Sequence, residues 1–312
     1  MSMIAIIQMI LAALSAVGIY TFIGFIPGTD ETSVLMPITL AVVLAGTPPM
    51  AVLTFFISAI VTLSLINAIP TALVGLPGGV MSSPMLEHSL FLKEKGVSAL
   101  VIRKMAAGSL IGVIISIPMS LILANILTPH AQGIQTLSSL LFFLGAIFLA
   151  AIGRNKMLSL FGIIPLAILF MSLRHLYWGI GVVAKTTNIT VSFFLGITIG
   201  PLIISLLRLL NGDYREAMAR NSIREISIPE DVMEAQTLNP FRILNRMEMI
   251  GASISALIAN FLFVLSPVGL TILLGEAAAN RVEDPVEKGF MAITTMSALI
   301  QATYISGIII PL

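Results

Sequence analysis

Long apolar runs separated by short polar islands fill this chain. They predict membrane segments over about 3–25, 34–46, 50–66, 105–127, 135–152, 157–173, 189–209, 247–265 and 268–279, because only helices with internally paired backbone cross a bilayer as continuous apolar stretches. The runs do not alternate, which disfavours a transmembrane barrel. Two stretches break the pattern. Around 67–80 and 300–312, amide, hydroxyl, Gly and Pro residues interrupt apolar sequence. Pro70, Pro77, Gly78 and Gly79 cannot continue a regular helix, and such backbone is tolerated at membrane depth only where protein or a cavity satisfies it. Both stretches are expected to be re-entrant or broken hairpins.

The two stretches form part of an internal repeat. The first copy reads Leu65-Ile66-Asn67-Ala68-Ile69-Pro70-Thr71 and continues to Pro77; the second reads Leu299-Ile300-Gln301-Ala302-Thr303-Tyr304-Ile305 and continues to Pro311. Upstream, Phe22 to Pro27 leads into Thr32, and Phe261 to Pro267 leads into Thr271. Pro-marked starts follow at Pro48-Pro49 and at Asp284-Pro285. Each copy reads helix, Pro break, helix, Pro-started helix, broken hairpin. Repeats of this kind with interrupted helices point to a transporter whose site lies between them. The pattern divides the chain into a first repeat over 1–104, connecting transmembrane helices over 105–210, a cytoplasmic polar segment over 211–246, and a second repeat over 247–312 that ends inside its hairpin.

Charge refines the topology. The polar islands are Glu87–Lys104 and Asn211–Glu248, and the loop Thr128–Gly133 carries no Lys or Arg. The positive-inside rule therefore places 93–104, 154–156 and 208–246 in the cytoplasm, leaving Arg174 and Lys185 as a minority outside. Composition agrees with a polytopic all-α membrane protein: 57% of the 312 residues are hydrophobic, 10% are charged, and mean hydropathy is +1.06. Net charge is +1, so nothing points to nucleic acid. With no cysteines, disulfides, Cys-ligated zinc and thiol catalysis are excluded. Met3–Ile26 lacks a cationic leader and is expected to be a first membrane segment.

Candidate chemistry concentrates at the breaks. Asn67 and Gln301 occupy equivalent places, and an amide in hydrocarbon needs partners. Either their carbonyl oxygens, with freed backbone carbonyls nearby, coordinate an ion or substrate, or the amides serve as interhelical glue. Pro77, Gly78 and Gly79 form a turn; either its exposed backbone N–H groups hold a carboxylate, or it is a plain turn. Gly28, Thr29 and Thr32 belong to the densest polar knot of the N-terminal apolar region; they line a site or form a solvated turn with Asp30 and Glu31. Thr271, Glu276 and Asn280 are the counterparts in the second copy, where Glu276 is a proton or cation site, a partner of Arg281, or a rim residue. Ser306 offers a hydroxyl in the second hairpin. His88, His130 and His175 are not at metal-binding spacing. An aspartyl hydrolase needs two cooperating carboxylates and a Ser–His dyad a buried His; neither is visible, so no enzyme and no resident cofactor or metal are expected.

At several of these residues the chain resembles the large permease subunit of the tripartite tricarboxylate transporter family. The matching pieces are Gly24-Phe25-Ile26-Pro27-Gly28 with Thr32 and Pro37, the hairpin end Gly75-Leu76-Pro77-Gly78, Pro84, and Lys95-Gly96-Val97-Ser98-Ala99-Leu100 leading into Ala107-Gly108-Ser109-Leu110-Ile111-Gly112. The likeness is strongest over 18–112 and returns over 247–312. Asp30 and Glu31 stand where the family usually has Gly and Pro, and His88 where it commonly has an acid. The resemblance implies an elevator-type secondary transporter of the inner membrane, with inverted repeats. It would move carboxylates by symport with sodium or protons, beside a small membrane subunit and a periplasmic solute-binding protein. It also implies a longer chain, so this one is expected to be short or C-terminally truncated. Two other readings stay open: a stand-alone ion-coupled organic-anion carrier, and a non-transporting half of a split or truncated permease.

Overall fold

The computed structural model describes residues 3–26, 46–73, 75, 78–152, 156–179, 210, 212, 240–262 and 267–310. Among them every regular element is helical. In chain order they are α1 (Met3–Gly24), α2 (Pro49–Ile66), α3 (Ala68–Leu73), α4 (Leu86–Glu94), α5 (Ser98–Leu127), α6 (Ala131–Ile152), α7 (Lys156–Gly179), α8 (Pro240–Ile243), α9 (Arg246–Phe261), α10 (Pro267–Ala279) and α11 (Pro285–Ile309), with short 3-10 turns at Val80–Met85 and Thr128–His130. Four stretches are long and apolar enough to cross a membrane: Met3–Gly24, Pro49–Leu73, Ser98–Ile134 and Pro285–Ile309. The chain is a multi-pass membrane protein. The expected segments over 34–46 and 189–209 fall on residues outside those described, apart from Gly46.

Local chemistry starts these helices where the sequence places its Pro and capping residues. Pro49 and Pro285 each occupy a first-turn position, where a missing N–H costs nothing. The Asp284 carboxylate accepts from the backbone N–H groups of Val286 and Glu287 at 3.0 and 2.9 Å. Asn245 and Glu248 close a reciprocal cap on α9.

α11 is the centre of the bundle. Every residue from Gly289 to Ser306 except Tyr304 is buried, and the helix packs against α5, α9 and α10. Its approach to α5 is set by two glycines one turn apart. A Cβ on Gly108 would overlap the Thr294 carbonyl, and one on Gly112 the Ala298 carbonyl. Small residues at this spacing let backbones meet, which is how helices associate where lipid removes the hydrophobic drive. The main core joins Ala68 and Ala72 of α3, Leu92 of α4, Val101 and Met105 of α5 and Ile293, Met296 and Ile300 of α11. α1 and α2 form a separate layer around Tyr20, Phe55 and Leu63, with Tyr20 and Phe55 edge to face.

The two expected hairpins differ. α2 is interrupted at Asn67, and α3 follows at a Pro-containing turn. Pro70 lacks the N–H that would bond the Ile66 carbonyl, and its ring crowds that carbonyl. In the second copy, α11 runs unbroken through Gln301 to Ile309. Tyr304 stands three residues after Gln301, where Pro70 follows Asn67; it keeps its N–H, so the helix continues. Over 300–309 there is thus a continuous helix rather than the broken hairpin expected there. α11 was also absent from the membrane segments read from the sequence. The two Pro-started stretches, Pro49–Leu73 and Pro285–Ile309, are both 25 residues long.

Candidate functional site

After α2, Asn67, Thr71, Gly78 and Ser82 come together, all buried or on buried backbone, in the stretch where a hairpin is expected. The Thr71 hydroxyl donates to the Asn67 backbone carbonyl at 3.3 Å and accepts the Gly78 N–H at 3.2 Å. A side chain at Gly78 would overlap the Asn67 carbonyl, so the returning strand of chain can lie there only as glycine. Gly79 N–H donates to Ser82 Oγ at 3.0 Å, and that hydroxyl donates back to the Gly79 carbonyl at 2.9 Å. Gly75, at φ 73°, reverses the chain after α3, and its N–H reaches the Pro70 carbonyl at 3.2 Å. Both tip N–H groups expected to face a carboxylate are therefore directed to the hairpin's own hydroxyls. A ligand would have to exchange for Thr71 or Ser82.

Gln301 reaches the C-terminal part of α2 from α11. Its amide nitrogen donates to Ser64 Oγ at 2.7 Å and lies 3.4 Å from the Val61 carbonyl. Ser64 sits one turn before the interruption at Asn67, so Gln301 meets α2 next to its C-terminal end. Gln301 is 1% exposed, and its Oε1 has no hydrogen-bond partner among the described residues. An unpaired buried carbonyl costs about 1–3 kcal/mol.

A third amide shows the contrast. Asn260 of α9 is fully buried, its Oδ1 accepting from Ser120 Oγ at 2.7 Å. Its nitrogen donates to Ser116 Oγ at 3.0 Å and to the Ala256 carbonyl at 2.7 Å. Both ends are used, so Asn260 is interhelical glue between α9 and the part of α5 that contains Pro118. Sequence reasoning missed it, although an amide inside an apolar run is the signal that singled out Asn67 and Gln301.

The other sequence candidates divide. Thr271 and Ser306 are buried, and their hydroxyls bond back to their own helices, at Pro267 and at Ala302 and Thr303. Gly28, Thr29, Thr32 and Pro77 lie outside the described residues. Glu276 makes no pair with Arg281; its side chain is 44% exposed, in keeping with a rim position, and its carboxylate is 2.7 Å from His88 Nε2 on α4. That pair ties the helix after the hairpin to α10 across 188 positions of sequence. A second pair, Lys104–Glu248 at 2.5 Å, is almost wholly buried, and Lys104 also lies 4.3 Å above the Phe290 ring. It joins the edges of the two polar islands, which the charge pattern had placed on one side of the membrane.

Residues 10–288 match the family model of the tripartite tricarboxylate transporter TctA family. Comparison with curated proteins and with solved structures gave no match.

Proposed function

The chain belongs to the tripartite tricarboxylate transporter TctA family, and on that premise we propose that it is the permease subunit of a binding-protein-dependent secondary transporter for tricarboxylates or related carboxylates. Uptake is driven by a sodium or proton gradient. The permease sits in the inner membrane, with a small membrane subunit beside it and an extracytoplasmic solute-binding protein delivering substrate.

The observation that supports this reading best is the unfilled Gln301 carbonyl beside the Asn67 break. A merely structural amide in hydrocarbon is expected to resemble Asn260, with both ends bonded. Gln301 instead keeps an acceptor without a partner among the described residues, one turn from where α2 gives way to a stretch rich in hydroxyls and glycine backbone. In the proposed mechanism, Gln301 Oε1 takes a cation or a substrate hydroxyl. Thr71 and Ser82 release the Gly78 and Gly79 N–H groups to a carboxylate. Those neutral donors bind an anion without burying a fixed positive charge. Asn67 holds the break in register, and Gly28, Thr29 and Thr32 complete the substrate surface, with Thr271 and Ser306 on the second copy. One repeat then moves against the other in an elevator-like step that exposes the site alternately to the two sides.

The test is uptake of labelled citrate into vesicles carrying the permease with its two partner subunits, under imposed sodium or proton gradients. Gradient-dependent uptake that is lost in Gln301→Leu supports both the function and the site. Uptake that is unchanged in Gln301→Leu removes Gln301 from the site.

A further inference from the structure

We propose that the groove between α9, α10 and α11 binds one anionic phospholipid, its phosphate on Arg281 and one acyl chain between the helices. The groove holds about 140 Å³ and is walled by Ile254 and Ile258 of α9, Leu274 of α10 and Met291 of α11. That volume is too small for a whole lipid and suits the upper part of one chain. The remainder has an apolar bed on α9, where Met247, Ile250, Ile254 and Leu257 are exposed.

Polar groups with spare hydrogen-bonding capacity lie towards one end; Ser255, which also lines the groove, spends its hydroxyl on the Ala252 and Thr295 carbonyls at 2.9 and 3.2 Å. Arg281 lines the groove at the end of α10, is exposed, and makes no ion pair among the described residues. Arg246, at the start of α9, flanks the adjoining hollow that shares Ile250 and Ile254 with the groove. Deeper, Thr295 lines the wall; it is 1% exposed, and its hydroxyl has no hydrogen-bond partner among the described residues. That hydroxyl lies close to Gly251, five residues or about 7.5 Å along α9 from Arg246 at 1.5 Å per residue. Arginines above, a buried hydroxyl donor below them and apolar walls beyond match phosphate, glycerol ester carbonyl and acyl chain in order. The charge pattern also places the Arg246 end on the cytoplasmic side, where basic pockets between helices meet anionic headgroups.

Native mass spectrometry of the purified full chain in detergent, titrated with dioleoyl-phosphatidylglycerol or dioleoyl-phosphatidylcholine, tests this. Wild type is expected to retain one phosphatidylglycerol in preference to phosphatidylcholine. Arg281→Ala should weaken that binding about fivefold, the scale of one basic residue at an anionic surface. Ala277→Trp, at the exposed rim of the groove, should abolish it while the lipid-free melting temperature stays within a few degrees of wild type. Equal retention of the two lipids, binding unchanged in both variants, or displacement by glycerol 3-phosphate alone would overturn the proposal.

Discussion

Gln301 donates its side-chain amide to the Ser64 hydroxyl at 2.7 Å, and so ties the central helix to α2 one turn before α2 breaks. The contact leaves the carbonyl end of the same amide buried without a partner among the described residues. Gln301→Leu removes both ends. Loss of the Ser64 bond should lower stability by no more than about 0.6–1.7 kcal/mol, the range for interhelical hydrogen bonds in membranes, while transport falls at least tenfold. Asn260→Leu should do the reverse, lowering the melting temperature with less effect on transport per surviving molecule. Parallel melting and uptake assays of the two variants separate a ligand-facing amide from a structural one.

Gly78→Ala places a methyl group against the Asn67 carbonyl. The hairpin has to shift, at a cost of about 1–3 kcal/mol, and uptake should be lost. Gly18→Ala is the control, because nothing lies within 4 Å of a Cβ there; it should be neutral or slightly stabilising through helix propensity. Thermal melts of both variants in detergent check the difference.

The α5–α11 contact rests on Gly108 and Gly112. Gly112→Val would force the Ala298 backbone away, and no side-chain rotation relieves a clash with a carbonyl. The variant is expected to express poorly or to elute aggregated in size-exclusion chromatography. Gly133→Val, with open space around it, should behave as wild type.

Lys104 and Glu248 form a buried pair, with side chains 10% and 6% exposed. Breaking it from either side leaves one buried charge and should cost about 3–5 kcal/mol, whereas Lys104→Met with Glu248→Met together should recover much of the loss. A double-mutant cycle on melting stability reads the coupling. Additive single effects would contradict the pairing.

The helices were legible because apolar runs and Pro starts are local signals. α1, α2 and α10 begin and end within a few residues of the predicted segments. The break at Asn67 was legible for the same reason, since Pro70 removes a backbone donor wherever it sits. The broken hairpin expected over 300–309 is a continuous helix, where Tyr304 keeps the backbone N–H that Pro70 lacks. The pairs His88–Glu276 and Lys104–Glu248 were not legible, since nothing local marks partners 188 and 144 residues apart. Asn67 and Gln301 were singled out from their amides alone, and both are buried. That Gln301 reaches Ser64, and that Thr71 and Ser82 occupy the tip N–H groups, depends on how the helices pack.

The central claim is that the Asn67 hairpin and Gln301 form a site for a carboxylate and its coupling ion. Its most direct measurement is gradient-driven uptake of labelled citrate by wild type and by Gln301→Leu, at matched amounts of folded protein, in vesicles with the partner subunits. Robust wild-type uptake reduced at least tenfold in the variant is the expected result. Equal uptake by both, with the hairpin intact, would contradict the claim.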